Sequence, residues 1–286
     1  MVMISQLPKV SSGARLPLLL LAVLSGTTSF IAGCKSAPEP SVRDRRSSFR
    51  AQQRAFTGDS IHSILQTFLL IASAQDSPDP KLDPGSGGIF LAPAPQGAFT
   101  QGLCVGVDPD GYLLTAGHVL REKNYVVGWM EGRLQIQPAR VIIRSGQGDG
   151  ASELAVIQVE RHLDYCARFG AAPAVNDPVF AVVCNRTPSG IGGALDLAGG
   201  IVLDGGRDPS GRVRRAIGTD VPLWHGDSGG PLLSGAGDLV GINSAIEFAW
   251  FGNRNFLGGF RRLSYFPDEG LVRRVISADK AQAQKR

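Results

Sequence analysis

The sequence predicts an all-β fold, because its composition and its pattern of apolar residues are both typical of short strands joined by tight turns. The 286-residue chain contains 37 glycines, and only 7% of its residues are aromatic. This composition suits many strands connected by close turns. From Gly88 onward the pattern is one of short strands, and the clearest hairpin joins 102–107 to 112–115. The intervening residues 108–111 read Asp-Pro-Asp-Gly, which favours a turn.

Further strands are expected after this hairpin, in two groups separated by a connection at 172–177. Each strand corresponds to a short run of apolar residues. The first group is expected near 125–130, 133–143 and 154–159, and the second near 178–184, 199–204, 212–218, 231–234, 239–246 and 256–263.

A helix is predicted on each side of the strands. Asp59 or Ser60 can cap a short N-terminal helix. Its apolar residues fall at helical spacing on one face, and they are Ile61, Ile64, Leu65, Phe68 and Leu69. A C-terminal helix is expected to begin at 267–269, which reads Pro-Asp-Glu, and to be followed by a disordered polar tail over 279–286.

The first 33 residues are predicted to be a lipoprotein signal peptide. Lys9 and Arg15 precede an apolar block at 16–24, and a basic start followed by an apolar core is typical of a secretory signal. Residues 31–34 read Ile-Ala-Gly-Cys, which resembles the bacterial lipobox, so Cys34 is the predicted lipidated residue. An uncleaved membrane helix is the alternative, since 16–33 is just long enough to span a bilayer.

Residues 34–87 are predicted to be a flexible tether that contains the short helix, and 88–278 the folded domain. The tether carries five arginines between positions 43 and 54. This run is interpreted as a solvated linker, and attraction to anionic lipid headgroups is the alternative. The formal net charge is only +4, so no nucleic-acid partner is predicted.

The strongest functional signal is the stretch 225–231, which reads His-Gly-Asp-Ser-Gly-Gly-Pro. The hydroxyl of Ser228 becomes a good nucleophile only when a base takes its proton. The glycines beside it would let a substrate backbone approach closely. The amides of Gly226 and Ser228 are candidates for an oxyanion hole. Taken alone, the stretch has a plainer interpretation as a turn between two strands.

A candidate base lies upstream at 115–119, which reads Thr-Ala-Gly-His-Val. Together, the motifs around His118 and Ser228 resemble those of the trypsin-like (chymotrypsin-fold) serine peptidases, T-A-A/G-H and G-D/N-S-G-G-P. The resemblance covers roughly residues 88–278. It implies two six-stranded antiparallel β-barrels followed by a C-terminal helix. It also implies an endopeptidase in which His118 is the base and Ser228 the nucleophile.

Three further blocks resemble the bacterial high-temperature-requirement (HtrA/Deg-like) branch of that family. They are Thr219-Asp220, 177–181 (Asp-Pro-Val-Phe-Ala) and 241–245 (Gly-Ile-Asn-Ser-Ala). Asp227 departs from this branch, which usually has Asn at that position. The second barrel and the last helix use most of the sequence after Ser228, so no PDZ domain is expected in this chain.

The acid of the predicted triad departs from the family's pattern. In the family an Asp begins a strand of the form D-x-A-x-x, and the matching stretch here, 153–157, reads Glu-Leu-Ala-Val-Ile. Glu153 is therefore the predicted acid, with a carboxylate oxygen expected within about 3.2 Å of His118 Nδ1. Asp149 in the preceding loop is the alternative acid. A surface role for Glu153 in an inactive protease is the other possibility.

The primary specificity pocket is expected to form from the residues shortly before Ser228 and from the strand at 241–245. The candidates are Pro222, Leu223, Asn243 and Ser244. None of them carries an acidic side chain, so a small or medium apolar substrate residue is expected rather than Lys or Arg.

No cofactor or metal is predicted, because no Cys-x-x-Cys or His-x-x-x-His spacing occurs. Apart from Cys34, the cysteines are Cys104, Cys166 and Cys184. An oxidising compartment would favour a Cys166–Cys184 disulfide, and buried thiols are the alternative.

The sequence therefore predicts a lipid-anchored serine endopeptidase that acts on envelope proteins and faces the periplasm or the exterior of a bacterial cell. Its expected partners are protein or peptide substrates and, through Cys34, a membrane; the sequence does not indicate an oligomeric state. A catalytically impaired, protease-like binding lipoprotein is the alternative. The combination of His118 with a complete Ser228 motif favours the enzyme, since a binding module needs neither.

Overall fold

The computed structural model describes residues 21–24, 56–82, 89–90, 99–144, 153–187, 190–207, 213–249 and 259–285. Two α-helices occur in this part of the chain, α1 (Ser60–Leu65) and α2 (Glu269–Ala283). The strands are β1 (Leu21–Leu24), β2 (Thr67–Ser73), β3 (Lys81–Leu82), β4 (Ile89–Phe90), β5 (Phe99–Asp108), β6 (Tyr112–Ala116), β7 (Lys123–Met130), β8 (Arg133–Arg144), β9 (Leu154–Val159), β10 (Pro178–Thr187), β11 (Gly190–Arg207), β12 (Val213–Thr219), β13 (Pro231–Ser234), β14 (Leu239–Ala249) and β15 (Gly259–Tyr265).

The strands form two six-stranded antiparallel barrels, which confirms the predicted fold class. The first barrel closes in the order β2-β5-β6-β9-β8-β7. The second follows the order β10-β13-β14-β15-β12-β11 and is closed by pairing between β11 and β10. Because each barrel is closed, every one of its six strands is paired with a neighbouring strand on both sides. β1, β4 and β3 extend the second sheet outward from β11, and β1 lies within the predicted signal peptide.

The first barrel begins earlier in the chain than the predicted boundary at residue 88. Phe68 and Leu69, which were expected on the N-terminal helix, lie instead in β2, and all seven residues of this strand are buried. β2 pairs with β5 on one side and β7 on the other. A short continuous apolar run can be a fully buried strand or part of a helix, and periodicity alone does not separate the two.

The predicted cap of the N-terminal helix is confirmed. One carboxylate oxygen of Asp59 accepts the backbone N–H groups of Ile61 at 2.9 Å and His62 at 3.1 Å. These amides have no partner inside the helix, so an Asp at this position satisfies them. The helix then ends at Leu65, directly before the first strand of the barrel.

The two barrels share a hydrophobic core that α2 covers. Val272 and Ile276 are the buried residues of this helix. They pack with side chains of both barrels, among them Tyr112, Leu114 and Val156 from the first and Phe180, Leu233 and Ile242 from the second. Burial of apolar surface at this junction therefore stabilises the relative placement of the barrels.

The C-terminal helix continues past residue 278, so the prediction of a disordered tail over 279–286 was wrong for the residues up to Ala283. Asp279 accepts a hydrogen bond from the Tyr112 hydroxyl at 2.9 Å and pairs with Arg140 at 2.7 Å. Lys280 pairs with Asp108 at 2.9 Å and Asp110 at 2.6 Å. These contacts with the first barrel hold the last turns of a polar sequence in helical form.

The described cysteines form no disulfide with one another. The Cys166–Cys184 pairing is therefore absent from this structure, and the alternative of thiols is the one observed. Burial raises the pKa of the Cys166 thiol to about 12. Burial also raises the pKa of the Cys104 thiol, which is fully enclosed in the first barrel. Neither thiol is therefore activated as a nucleophile.

Candidate active site

His118 and Glu153 lie together on one rim of the first barrel because of how two neighbouring strands pair. Ala116 at the end of β6 is paired with Leu154 at the start of β9. Gly117, the next residue, donates its backbone N–H to the Glu153 carbonyl at 2.6 Å. A 3₁₀ turn over Gly117–Val119 then directs His118 off the end of the strand. The order of strands in the barrel thus brings residues 35 apart in sequence to one place.

The side chains of these two residues are in contact. Glu153 Oε2 lies 2.9 Å from His118 Nδ1, inside the distance expected from the sequence. The two side chains are 35% and 39% exposed, His118 and Glu153 respectively, so the pair is open to solvent on one side. Asp149, the alternative acid, lies outside the described residues.

Glu153 has a second partner, which the sequence analysis did not identify. Ser244 Oγ donates a hydrogen bond to the same carboxylate oxygen, at 2.5 Å. Burial raises the pKa of Glu153, but the hydrogen bonds from Ser244 and His118 and the charge of Arg144 together outweigh it, so the net pKa lies below its ordinary value. An ionised carboxylate only accepts hydrogen bonds, so His118 carries its proton on Nδ1 and leaves Nε2 as an acceptor.

Ser228 lies on a turn that is tied to both barrels. Its carbonyl accepts the backbone N–H of Leu103 in β5 at 2.8 Å. The following residue, Gly229, donates its own N–H to the Asn243 carbonyl in β14 at 2.7 Å. These two bonds fix the Ser228 turn at the junction between the barrels.

The Ser228 hydroxyl is directed toward β14. It donates to the carbonyl of Ser244 at 3.2 Å, and within the described residues it makes no hydrogen bond to His118. In the same part of the chain, the backbone amides of Gly226 and Ser228 donate no hydrogen bond. Gly226 has a φ of +99°, a conformation that glycine adopts without strain.

Asp227, the departure from the HtrA-like pattern, has a structural explanation. Its side chain is buried, and its two oxygens each accept a backbone N–H: Oδ1 from Cys184 and Oδ2 from Trp224, both at 2.8 Å. Two acceptor atoms are needed here, and a carboxylate supplies both. An Asn would offer one oxygen and an NH₂ group, which would face one of these N–H donors.

Gly229 should tolerate no side chain. Its φ is +86°, and a Cβ atom there would come within 2.1 Å of the Leu103 carbonyl oxygen and 2.3 Å of Thr115 Oγ1. Gly132 has a similar φ of +71°, but a Cβ atom there would meet nothing within 4 Å. Gly132→Ala is therefore expected to cost about 1–2 kcal/mol of unfolding free energy from backbone strain alone.

For Gly229→Ala the expected loss is about 2–5 kcal/mol, since a steric clash of about 1–3 kcal/mol is added to the same strain of about 1–2 kcal/mol. Denaturant unfolding of the two variants measures both values. Equal losses of unfolding free energy in the two variants would show that the steric clash with Leu103 and Thr115 does not contribute to the destabilisation.

The four candidate pocket residues have different surroundings. Leu223 is buried in the core of the second barrel, and Pro222 is half-buried. The Asn243 side chain accepts a hydrogen bond from Ser264 Oγ at 2.9 Å and donates to the Pro231 carbonyl at 3.5 Å, so it bridges strands inside the barrel. The Ser244 hydroxyl contacts Glu153. A pocket formed by these residues stays a prediction.

In the described part of the chain, no group of three or more His, Cys, Asp or Glu residues is placed to hold a metal ion. The polar side chains that this site brings together are those of His118, Glu153, Ser228 and Ser244. An imidazole oriented by a carboxylate, close to a serine on a glycine-rich turn, is the arrangement used for nucleophilic attack on acyl groups.

The two closed barrels, with a His–acid pair on one and a serine turn at their junction, define the chymotrypsin-fold class of proteins. Residues 102–242 match the family model described as Trypsin-like peptidase domain. The chain therefore contains a trypsin-like peptidase domain, as the motifs around His118 and Ser228 predicted.

Comparison with curated proteins also confirms the resemblance to the HtrA/Deg-like branch. Over 162 residues the chain is 32% identical to a protein named Probable periplasmic serine endoprotease DegP-like from Ectopseudomonas mendocina (strain ymp), covering 56% of this chain and 31% of that one. Over 154 residues it is 29% identical to Serine endoprotease DegS from Escherichia coli (strain K12), covering 51% of this chain and 39% of that one. The chain thus spans about a third of the length of these relatives.

Similar solved structures include the serine endoprotease from Yersinia pestis, with 18% sequence identity and a TM-score of 0.47. That match covers 76% of this chain and 65% of the other. The HtrA-type protease AlgW with tripeptide has 22% identity and a TM-score of 0.49, covering 76% of this chain and 62% of that one.

Proposed function

We propose that the chain is a serine endopeptidase that hydrolyses peptide bonds with a triad of Ser228, His118 and Glu153. The observation that carries this proposal is the 2.9 Å contact between His118 Nδ1 and Glu153 Oε2, on a barrel rim next to the serine turn. This contact fixes the tautomer in which Nε2 can accept a proton. Membership of the trypsin-like peptidase family, through residues 102–242, supports the same activity.

The proposed reaction has two stages. The Ser228 oxygen attacks the carbonyl carbon of the substrate while its proton passes to His118 Nε2, and the amides of Gly226 and Ser228 hold the resulting oxyanion. His118 then gives this proton to the leaving amine, the carbon–nitrogen bond breaks, and an acyl-enzyme forms. Water hydrolyses the acyl-enzyme by the same proton transfers in reverse order. Glu153 stays ionised throughout and stabilises the imidazolium.

The nucleophile has to change its hydrogen bond before attack. Ser228 Oγ donates to the Ser244 carbonyl in this structure, so rotation about one side-chain bond must redirect it to His118. This starting geometry is compatible with catalysis, because catalytic hydrogen bonds are often poorly aligned until substrate is bound. Within the described residues, the amides of Gly226 and Ser228 donate no hydrogen bond that would have to break before they bind an oxyanion.

The competing proposal is a protease-like binding lipoprotein without activity. The lengthened acid, Glu153 in place of the family's Asp, is the feature that favours it. Labelling with a fluorophosphonate, which reacts with an activated serine, separates the two. We expect the wild-type protein to be labelled and the Ser228→Ala variant to remain unlabelled. A folded wild-type protein that resists labelling, and that cleaves no unfolded protein substrate, would contradict the endopeptidase.

We further propose that the enzyme acts in the bacterial envelope on unfolded or extended proteins, and that a lipid on Cys34 anchors it to a membrane. The name of the DegP-like relative describes that protein as periplasmic, and the lipobox-like sequence at 31–34 supports the anchor. Within the described residues, no helix is both long and apolar enough to cross a bilayer.

The anchor has a direct test. Cys34→Ser is expected to leave the protein unprocessed, and mass spectrometry of the mature wild-type N-terminus should find acyl groups on Cys34. Cys166→Ser is the matched control, since it removes a thiol outside the lipobox and should leave processing unchanged. A mature chain that starts elsewhere, or that carries no acyl group, would overturn the proposed anchor.

A further inference from the structure

Arg144 lies on the same rim of the first barrel as His118 and Glu153. It is the last residue of β8 and pairs with Ala155 of β9, which in turn pairs with Thr115 of β6. The ends of three adjacent strands therefore meet at this rim: β8 ends at Arg144, Glu153 directly precedes β9, and His118 lies two residues after the end of β6. The position of Arg144 is fixed by the register of the barrel rather than by a loop.

The Arg144 side chain crosses the backbone next to His118. Its Cγ and Nε atoms lie 3.4 Å and 3.7 Å from the place where a Cβ atom of Gly117 would be. The arginine side chain therefore packs beside the 3₁₀ turn that carries His118. The residue is exposed, so its guanidinium is available to a substrate.

Arg144 is not neutralised by an ion pair among the described residues, in contrast to Arg140, which pairs with Asp279. The acid on the same rim, Glu153, is already hydrogen-bonded by His118 and Ser244. A guanidinium at this place can still form a two-point contact with an incoming carboxylate, because its planar set of donors matches that group.

A peptide that Ser228 cleaves has to pass His118, because the imidazole delivers a proton to the leaving nitrogen. Side chains one or two residues from the scissile bond therefore pass close to the rim that carries Arg144. A carboxylate there gains a favourable charge interaction, whereas a Lys or Arg residue meets a like charge.

We propose that Arg144 is a specificity-determining residue that favours substrates with Asp or Glu within two residues of the scissile bond. This inference rests on the proposed endopeptidase activity and adds a substrate class to it. It concerns a different contact from the primary specificity pocket, for which an apolar residue is expected.

The test compares peptides that are identical except for Asp or Asn at each of the two positions on either side of the cleaved bond. For wild type, the Asp peptide is expected to have the higher kcat/KM at one of these positions, by about two- to fivefold at low ionic strength, which is the size of an exposed ion pair. The difference should come mainly from KM, and it should shrink as salt is added. Arg144→Gln should bring the ratio close to one by lowering kcat/KM for the Asp peptide more than for the Asn peptide.

Arg133→Gln is the matched control, because Arg133 is an exposed arginine at the opposite end of the same strand, about 35 Å away along β8. It removes the same charge and should keep the wild-type ratio. An unchanged ratio in an active Arg144→Gln variant would overturn the inference and leave the endopeptidase intact. Equal losses for the Asp and Asn peptides would also overturn it, since Arg144 would then act only through Glu153. Failure of the wild type to cleave any peptide would instead contradict the proposed function.

Discussion

Ser228→Ala is expected to lower kcat/KM for peptide hydrolysis by on the order of 10³-fold or more, because nucleophile and base act as one unit and neither works alone. The fold should be unaffected. The Ser228 hydroxyl makes a single 3.2 Å hydrogen bond to Ser244 O, whereas the turn itself is held by backbone bonds to Leu103 and Asn243. Removing one half-buried oxygen therefore leaves the supporting contacts in place.

The measurement pairs kinetics on an unfolded protein substrate with thermal unfolding. Ser234→Ala is the control, since Ser234 Oγ also makes one hydrogen bond at 3.2 Å, accepting the Asp238 amide at the end of β13. Both variants should change the unfolding free energy by no more than about 1 kcal/mol, and only Ser228→Ala should lose activity. Residual turnover within tenfold of wild type would remove Ser228 from the role of nucleophile.

The parts of the fold that the sequence predicts well are those with a local physical cause. The hairpin at 108–111 follows from its own turn chemistry: the Asp110 amide bonds to Asp108 Oδ1 at 2.9 Å, and Gly111 has a φ of +86°. The strand at 231–234 appears with the bounds expected, as β13. In both cases the residues that set the structure are neighbours in sequence.

The two segments whose structure was predicted wrongly, β2 and the end of α2, are determined by contacts with residues elsewhere in the chain. β2 is a strand because β5 and β7 supply its hydrogen bonds, and neither partner can be read from residues 67–73. Asp279 and Lys280 remain helical because Arg140 and the Asp108–Asp110 turn bind them. A polar terminal sequence is frayed by default, and only the tertiary contacts reverse that expectation.

In the candidate site, too, the features with a local sequence signal were predicted, and a contact between distant residues was not. The motifs identify His118 and Ser228, and the strand pattern at 153–157 points to Glu153. The hydrogen bond from Ser244 to Glu153 joins β14 of the second barrel to the rim of the first. Ser244 was assigned to the specificity pocket because it lies in the 241–245 block, and sequence spacing cannot show which way its hydroxyl points.

Glu153→Gln is expected to lower kcat by on the order of 10⁴-fold, the loss found when the acid of a serine-protease triad is replaced by its amide. The carboxylate accepts from His118 Nδ1 at 2.9 Å and from Ser244 Oγ. An amide in its place can turn an NH₂ group toward His118, which favours the tautomer with its proton on Nε2. That nitrogen then cannot accept the proton of Ser228. KM should change little, because Glu153 does not contact the substrate in the proposed mechanism.

The charge of Glu153 also predicts a pH dependence of stability. Because the folded-state pKa of Glu153 lies below its ordinary value of 4.5, ionisation stabilises the folded protein above that pH. The stabilisation is lost as the pH falls through the lower folded-state pKa. Denaturant unfolding at a series of pH values should show a shallower loss on acidification in Glu153→Gln than in wild type. The difference should be small, since the side chain is 39% exposed.

Two further variants test whether Glu153 is the acid of the triad. Ser244→Ala keeps the carboxylate and removes one of its two donors, so its loss in kcat should be far smaller than that of Glu153→Gln. Asp149→Asn tests the alternative acid and should have little effect. A larger loss for Asp149→Asn than for Glu153→Gln would transfer the role to Asp149. If neither change affects an enzyme that still requires His118, the site works as a Ser–His dyad, and the 2.9 Å contact between His118 and Glu153 has a structural purpose only.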